Sequence, residues 1–441
     1  MFDRRLLQNF DWPMLYASLA ICLIGVASIY SASRGYAGES NFWLKQLMWI
    51  GAGLMVGFVL LLFDFRAVGR FAYLVHAAVI VLLLLMLIHP ALDSGGQTSR
   101  WIRLGSITVQ PSEFAKFSTI WAIAYYFRDS RRVGNLGVWG ILFPTLLVVV
   151  PFVLIMRQPD LGTAILLLMI YFPMVVLAGL RERVIRYLIV LGFIGIGLLI
   201  LAFQFGYYKM DREAILGLKE DQAPREIILK AQELTNRRFI TLNGVLTEVL
   251  GEDYVADSPL AKALEERTYR PLISLALRPY QQKRIVTFVD PTKDPLGSGY
   301  HVIQSKIAVG SGRFFGKGYG DSTQGALNFL PARHTDFLFA IFAEEWGFLG
   351  AAVLVGLFVF LIQRTSAVVL QTRDRFSAFL VMGFTANLAA QVLVNLGMVT
   401  GLLPVVGVPL PFFSYGGSSM VTMLIGLALV LNIRMRRFLW S

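Results

Sequence analysis

The spacing of apolar residues constrains this chain more than any other feature. Ten runs approach the about 17 to 25 residues that a helix needs to cross the hydrocarbon layer of a bilayer. They fall at 14–32, 43–63, 72–90, 112–127, 138–156, 161–179, 184–206, 337–362, 376–399 and 416–433. The strict alternation of a β-barrel is missing. The expected fold is an all-α polytopic membrane protein with about ten transmembrane helices. Of 441 residues, 56% are hydrophobic and only 15% charged, which excludes an ordinary soluble class. The first run is too long for a signal-peptide core and has no clean cleavage site, so it reads as a retained span.

Lys and Arg set the orientation. With the N-terminus inside, the inner segments carry Arg4, Arg5, Arg66, Arg70, Arg128, Arg131, Arg132, Arg181, Arg364, Arg373, Arg434 and Arg436, among others. The short outer loops carry only Arg34, Arg100, Arg103 and Arg157. Both termini are therefore expected in the cytoplasm, and the net charge of +12 suits an anionic inner leaflet without nucleic acid. Between the seventh and eighth helices, 206–336 holds 16 of the 28 acidic residues and reads as a large extracytoplasmic loop. The division is helices 1–7 in 1–206, a loop module in 207–336, and helices 8–10 in 337–441. The first half of the loop reads as amphipathic helices separated by Pro224, Gly251 and Pro259.

Cys22 is the single cysteine, which excludes an intramolecular disulfide and a cysteine metal site. The histidines at 76, 89, 301 and 334 have no metal-ligand spacing. Ionisable groups at membrane depth are costly, so they pair, line a cavity or do chemistry. Several fall at the outer ends of spans: Arg100, Arg103, Glu113 and Lys116; Arg157 and Asp160; Arg333, His334, Asp336, Glu344 and Glu345. Glu113 and Lys116 share a helix face at i, i+3, and Pro111, Ser112 and Asp160 also suit helix starts. Together they fit a substrate with an anionic head and an apolar tail. One polar stretch, "FVDPTKDPLGSGYHVIQSK", holds Asp290 and Asp294 before prolines, where extended or turn geometry is enforced. The apolar run "HVIQSKIAVGSGRFFGKGYG" is too short and glycine-broken to span, and suits the membrane surface beside a cavity.

"WIRLGSITVQPSEFAKF", "QPDLGTA", "DPTKDPLGSGYHVIQSKIAVGSG", "FLPARHTDFLFAIFAEEWGFLG" and "NLGMVTGLLPVVGVPLPFFSYGGSS" together resemble the SEDS family of shape, elongation, division and sporulation proteins. The resemblance spans nearly the whole chain and leans to the elongation branch. It implies a peptidoglycan glycosyltransferase that polymerises lipid II at the outer face of the bacterial cytoplasmic membrane. It implies a class B penicillin-binding protein and other elongation-complex proteins as partners. The family's essential loop Asp corresponds to Asp294, the expected general base; Asp290 is the weaker candidate. Lys116, Arg100 and Lys45 are expected at the pyrophosphate, with Glu113 and Asp160 orienting, and Gln304, Lys306 and His334 complete the expected substrate-binding set. No cofactor is demanded, and a divalent cation at the pyrophosphate stays open. "PLPFFSYGGSSM" reads as a broken-helix wall of the cavity, not a catalytic triad. The segment from about Tyr207 to Leu277 is longer than is usual in the family.

Two other classes use the same features: a flippase moving lipid II across the membrane, and a scaffold that only recruits the penicillin-binding protein. Against the flippase, the best polar motif lies outside the bilayer, where transport needs no base.

Overall fold

The computed structural model of the protein describes residues 8–33, 41–64, 66, 69–88, 100–104, 107–129, 133–134, 136–184, 186–187, 190, 207–210, 240–241, 269–271, 284, 287–288, 298–326 and 333–437. The chain forms two compact units, one built from 1–181 with 287–441 and the other from 182–286.

The larger unit is mostly helical. Its elements are α1 (Trp12–Ala32), α2 (Phe42–Leu62), α3 (Ala72–Ile88), a hairpin of β1 (Ile102–Leu104) and β2 (Ile107–Val109), α4 (Pro111–Tyr126), α5 (Val138–Arg157) and α6 (Leu161–Leu177). After the second unit come α7 (Ser298–Ser311), the single turn α8 (Thr323–Ala326), α9 (Leu338–Gln371), α10 (Arg375–Thr400) and α11 (Gly417–Arg436). Among the described residues, helices occupy every expected apolar run except 184–206, which lies mostly outside them. By length and composition α1, α2, α5, α9, α10 and α11 are able to cross a membrane, which makes this a multi-pass membrane protein.

Local chemistry sets the helix ends. Asp11 and Asp374 cap α1 and α10 by accepting the amides of Met14 (3.2 Å) and Ser377 (3.0 Å). Gly401 closes α10 in the left-handed region at φ 76°. At α4 the cap differs from expectation: Pro111 takes the first position, but the cap residue is Gln110, whose side chain turns elsewhere. Prolines interrupt the hydrogen-bond ladders of α5 and α6. Pro144 removes the amide that would bond Gly140, and the Tyr126 hydroxyl donates to that oxygen at 3.4 Å.

α10 is the central helix, packed against α4, α6, α7, α9 and α11. Its buried amides bind neighbouring helices in place of solvent. Asn395 donates to the carbonyls of Asp336 (3.0 Å) and Val408 (2.8 Å). α2 and α11 meet through Gly53 and Gly57, four residues apart, which seat Leu424 and Ala428. After α10, the chain from 401 to 416 runs as non-helical backbone with Val406, Val408, Leu410, Phe412 and Phe413 buried.

α9 is two helical segments. Gly347 breaks it at φ 64°, ψ −164°, which the uniform apolar run does not foretell. The loop after α7 fills the break: the amides of Lys317 and Gly318 donate to the carbonyls of Glu344 (3.0 Å) and Glu345 (3.1 Å), while Phe348 and Leu349 donate to Arg313 (2.8 Å) and Phe314 (3.1 Å). A Cβ on Gly347 or Gly316 would collide with the facing backbone.

In the smaller unit, β3 (Tyr207–Met210) lies between β4 (Ile240–Thr241) and β5 (Tyr269–Pro271), antiparallel to both. Strands were not expected there. The residues expected to be amphipathic helices lie almost entirely outside the described set.

Candidate functional site

One end of the larger unit gathers the first turns of α2, α4, α6, α9 and α11. Asp160 ties two of them together, and Gln110 brings in a third. It caps α6 through Thr163, whose amide donates to Oδ1 (3.2 Å) and whose hydroxyl donates to Oδ2 (2.9 Å). Oδ2 also accepts from Gln110 Nε2 (3.0 Å) and Ser112 Oγ (3.2 Å) at the start of α4. The Gln110 amide donates to Ser418 Oγ (3.0 Å) in the first turn of α11. Helix starts present unsatisfied amides and a partial positive charge, so their convergence favours anions.

Glu113 and Lys116 form a 2.9 Å ion pair with 3% and 1% exposure. The second Glu113 oxygen is buried without a hydrogen-bond partner. A buried, under-satisfied pair is costly unless it serves some purpose beyond packing. Arg100 holds the nearby chain by donating from Nε to the Gln158 carbonyl (3.1 Å).

Tyr415 and Ser418 link this group to a second one. The His334 ring stacks on Phe42 (centroids 4.5 Å) and meets Tyr415 edge-on (5.9 Å), while the Tyr415 amide donates to the His334 carbonyl (3.0 Å). Burial pushes the Tyr415 hydroxyl above the ordinary phenol range, so it stays neutral. Lys45 is exposed above the Phe42 ring, 5.7 Å from its centroid. Its neighbour Gln46, which the apolar pattern alone passes over, is buried and grips the 401–416 segment. It donates to Ser414 O (3.0 Å) and accepts the Gly416 amide (3.3 Å). A glutamine inside an apolar run is the signal that points to it.

α7 packs on α9 and α10, with Ser305 donating to the Val399 carbonyl (2.8 Å). Gln304 is half-buried and Lys306 exposed, its side chain crossing Gly401 where a Cβ would collide with it. Glu344 is enclosed by Lys317 (2.5 Å), Ser322 (2.6 Å) and Thr323 (2.7 Å from the hydroxyl, 3.1 Å from the amide). Glu345 accepts from Ser31 of α1, and Arg333 donates to the Gly325 carbonyl (2.8 Å). Asp294 and Asp290 lie outside the described residues, and so does the side chain of Arg103. Among the described residues no three His, Cys, Asp or Glu side chains are grouped to hold a metal.

The structure therefore joins Gln110, Ser112, Asp160 and Ser418, and separately Phe42, His334 and Tyr415. Asp160 contacts neither Lys116 nor Arg100 directly; its oxygens are spent on the helix starts.

An apolar cavity of about 190 Å³ opens between α3, α4, α10 and α11. It is lined by Phe114, Phe117, Ser118 and Trp121 of α4, and so lies beside the face that carries Glu113 and Lys116.

The cell cycle protein family of FtsW, RodA and SpoVE matches residues 11–221 and 265–438. The chain is 30% identical to the peptidoglycan glycosyltransferase RodA of Treponema pallidum (strain Nichols), covering 98% of both chains. It is 31% identical to the peptidoglycan glycosyltransferase MrdB of Escherichia coli (strain K12), over 98% of this chain and 95% of that one. Stage V sporulation protein E of Bacillus subtilis (strain 168) is 31% identical over 96% of each. Among solved structures, a chain from a peptidoglycan synthase complex that coordinates polymerization and crosslinking superposes with a TM-score of 0.67 at 29% identity, covering 97% of this chain and 98% of that one. The rod shape determining protein RodA of Thermus thermophilus gives 0.59 at 25% identity, with the same coverage. With near full-length matches in sequence and in fold, the chain belongs to the FtsW/RodA/SpoVE family of cell cycle proteins.

Proposed function

We propose that this protein is a peptidoglycan glycosyltransferase that polymerises lipid II during cell elongation, on the outer face of the bacterial inner membrane. It is the activity for which its full-length relatives are named. The arrangement has ten transmembrane helices, both termini in the cytoplasm and the 207–336 segment outside. The observation that carries the reading in this chain is the buried Glu113–Lys116 pair at an end where five helices begin. A fixed cation among helix N-termini suits a diphosphate, and the adjoining apolar cavity suits a polyprenyl tail.

In the reaction the acceptor 4-hydroxyl attacks the anomeric carbon of the donor as its bond to pyrophosphate breaks. The hydroxyl proton passes to the Asp294 carboxylate, and displacement from an α-linked donor leaves a β-linked glycan. Lys116 and Arg100, with Lys45 at the rim, take the charge that grows on the leaving pyrophosphate. Glu113 holds Lys116 in place, and Asp160 holds the helix starts. Gln304, Lys306 and His334 face the sugars. Four peptide units separate Asp294 from Ser298, the start of α7, a reach of at most about 14 Å. The partner is a class B penicillin-binding protein, in keeping with the synthase complex to which the chain is structurally similar. The 222–264 stretch falls between the two matched segments, which suits a contact with another envelope protein.

The test is polymerisation of purified lipid II by the reconstituted protein with its cognate penicillin-binding protein, comparing wild type with Asp294→Ala. Glycan from wild type alone supports the assignment, whereas equal glycan from both moves the base elsewhere. Lipid II movement without polymer supports a flippase, and neither activity supports a scaffold.

A further inference from the structure

The opposite end of the bundle carries a second site. Between the first turns of α1 and the last turns of α2 and α11 lies a groove of about 350 Å³, within the size range of small-molecule sites. Its lining is entirely apolar, from Phe10, Trp12 and Leu15 on one side to Leu61, Leu431 and Met435 on the other. It lies where Gly53 and Gly57 draw α2 onto α11 and the start of α1 borders the pair.

The groove's two borders differ in chemistry. One is aromatic: Phe10 meets Trp12 at 4.8 Å and Trp12 stacks on Tyr16 at 5.9 Å, with Trp12 and Tyr16 exposed by 45% and 61%. Such rings sit at the level of lipid headgroups. The other is cationic. Asp11, 2% exposed, is held between Arg364 (2.7 Å) and Arg434 (2.8 Å), so one carboxylate meets two guanidinium groups. Arg436 adds a third cation. Its Nη2 donates to the carbonyls of Leu61 (3.2 Å) and Leu62 (3.3 Å), while its Nε is buried with no hydrogen-bond partner. Leu61 and Met435, on either side of that bond, line the groove, which places Arg436 next to its end.

We infer that this groove binds one acyl chain of an anionic phospholipid from the leaflet at this end of the bundle, with the lipid phosphate on Arg436. An apolar slot explains a chain, and the excess of guanidinium over carboxylate explains an anionic head over a zwitterionic one. A phosphate oxygen on this guanidinium accepts a charge-assisted hydrogen bond, the stronger class. The site is separate from the proposed catalytic end and does not depend on its assignment.

The test uses full-length protein in detergent, stripped of lipid and offered equal phosphatidylglycerol and phosphatidylcholine with identical chains, with retained lipid counted by native mass spectrometry. Wild type is expected to keep phosphatidylglycerol preferentially. Arg436→Gln lowers that preference about fivefold, the effect of one cation on an anionic lipid, while Arg436→Lys keeps it. Leu54→Trp, which fills the groove from a half-buried position, lowers retention of both lipids without lowering the unfolding temperature. An unchanged preference in Arg436→Gln overturns the headgroup assignment, and full retention in Leu54→Trp overturns the groove.

Discussion

Lys116 has a side chain fully withdrawn from solvent, with Glu113 as its ion-pair partner. Lys116→Met strands the Glu113 carboxylate, and breaking a buried pair in this way costs about 3–5 kcal/mol. The double replacement Glu113→Gln with Lys116→Met removes both charges and is expected to recover most of the unfolding temperature while leaving glycan synthesis abolished. If the double variant polymerises, the pair is structural only. The i, i+3 spacing made this pair legible, and the position of Asp160 after a proline made its cap legible. The partners of Gln46, and of Glu344, which the sequence did single out, were not, because they come from more than 300 and about 20 to 30 residues away. Sequence spacing speaks for neighbours on one helix and says nothing of a carbonyl brought in by another.

At the scale of an element, apolar length located the helices well and their interruptions badly. The α9 run was expected to end at 362, yet the helix continues to Gln371, through the helix formers Gln363 and Arg364 and on into the apolar Ala367, Val368, Val369 and Leu370. Its break at Gly347 left no trace in hydropathy, since the neighbouring backbone supplies the missing bonds. Gly347→Ala is expected to cost more than about 1 kcal/mol, because the left-handed conformation penalises any Cβ and Gly316 occupies the space. Thermal unfolding of the variant in detergent measures this.

Across the whole molecule, polar groups collect at the two ends of an apolar bundle, which the order of apolar and charged segments already implied. The sequence marked 301–320 as a piece beside a cavity and 409–420 as a broken-helix wall; what it did not convey is that 313–318 closes the break in α9 and that 406–414 is largely buried. Orientation is open to direct measurement. In a Cys22→Ser background, Asp321→Cys is expected to react with an impermeant maleimide in intact spheroplasts, and Ser441→Cys only after lysis. The reverse pattern would invert the topology. For the smaller unit, slow amide exchange is expected at 207–210 and 269–271, where β3 and β5 pair, and fast exchange at both would dissolve that sheet.

The splice at Gly347 has a mechanical consequence. Backbone from 313 to 318 is fastened to both sides of the break by four hydrogen bonds, and Glu344 locks the following residues to the upper segment. Breaking those bonds leaves the carbonyls on both sides of the break unpaired. The loop is therefore held more tightly than one tied at its ends alone. A pull on the chain before α7 is carried as torque to the first turns of α9, where the soft point is a single glycine. Any protein that leans on α7 from outside thereby has a lever on the end of the bundle that holds His334.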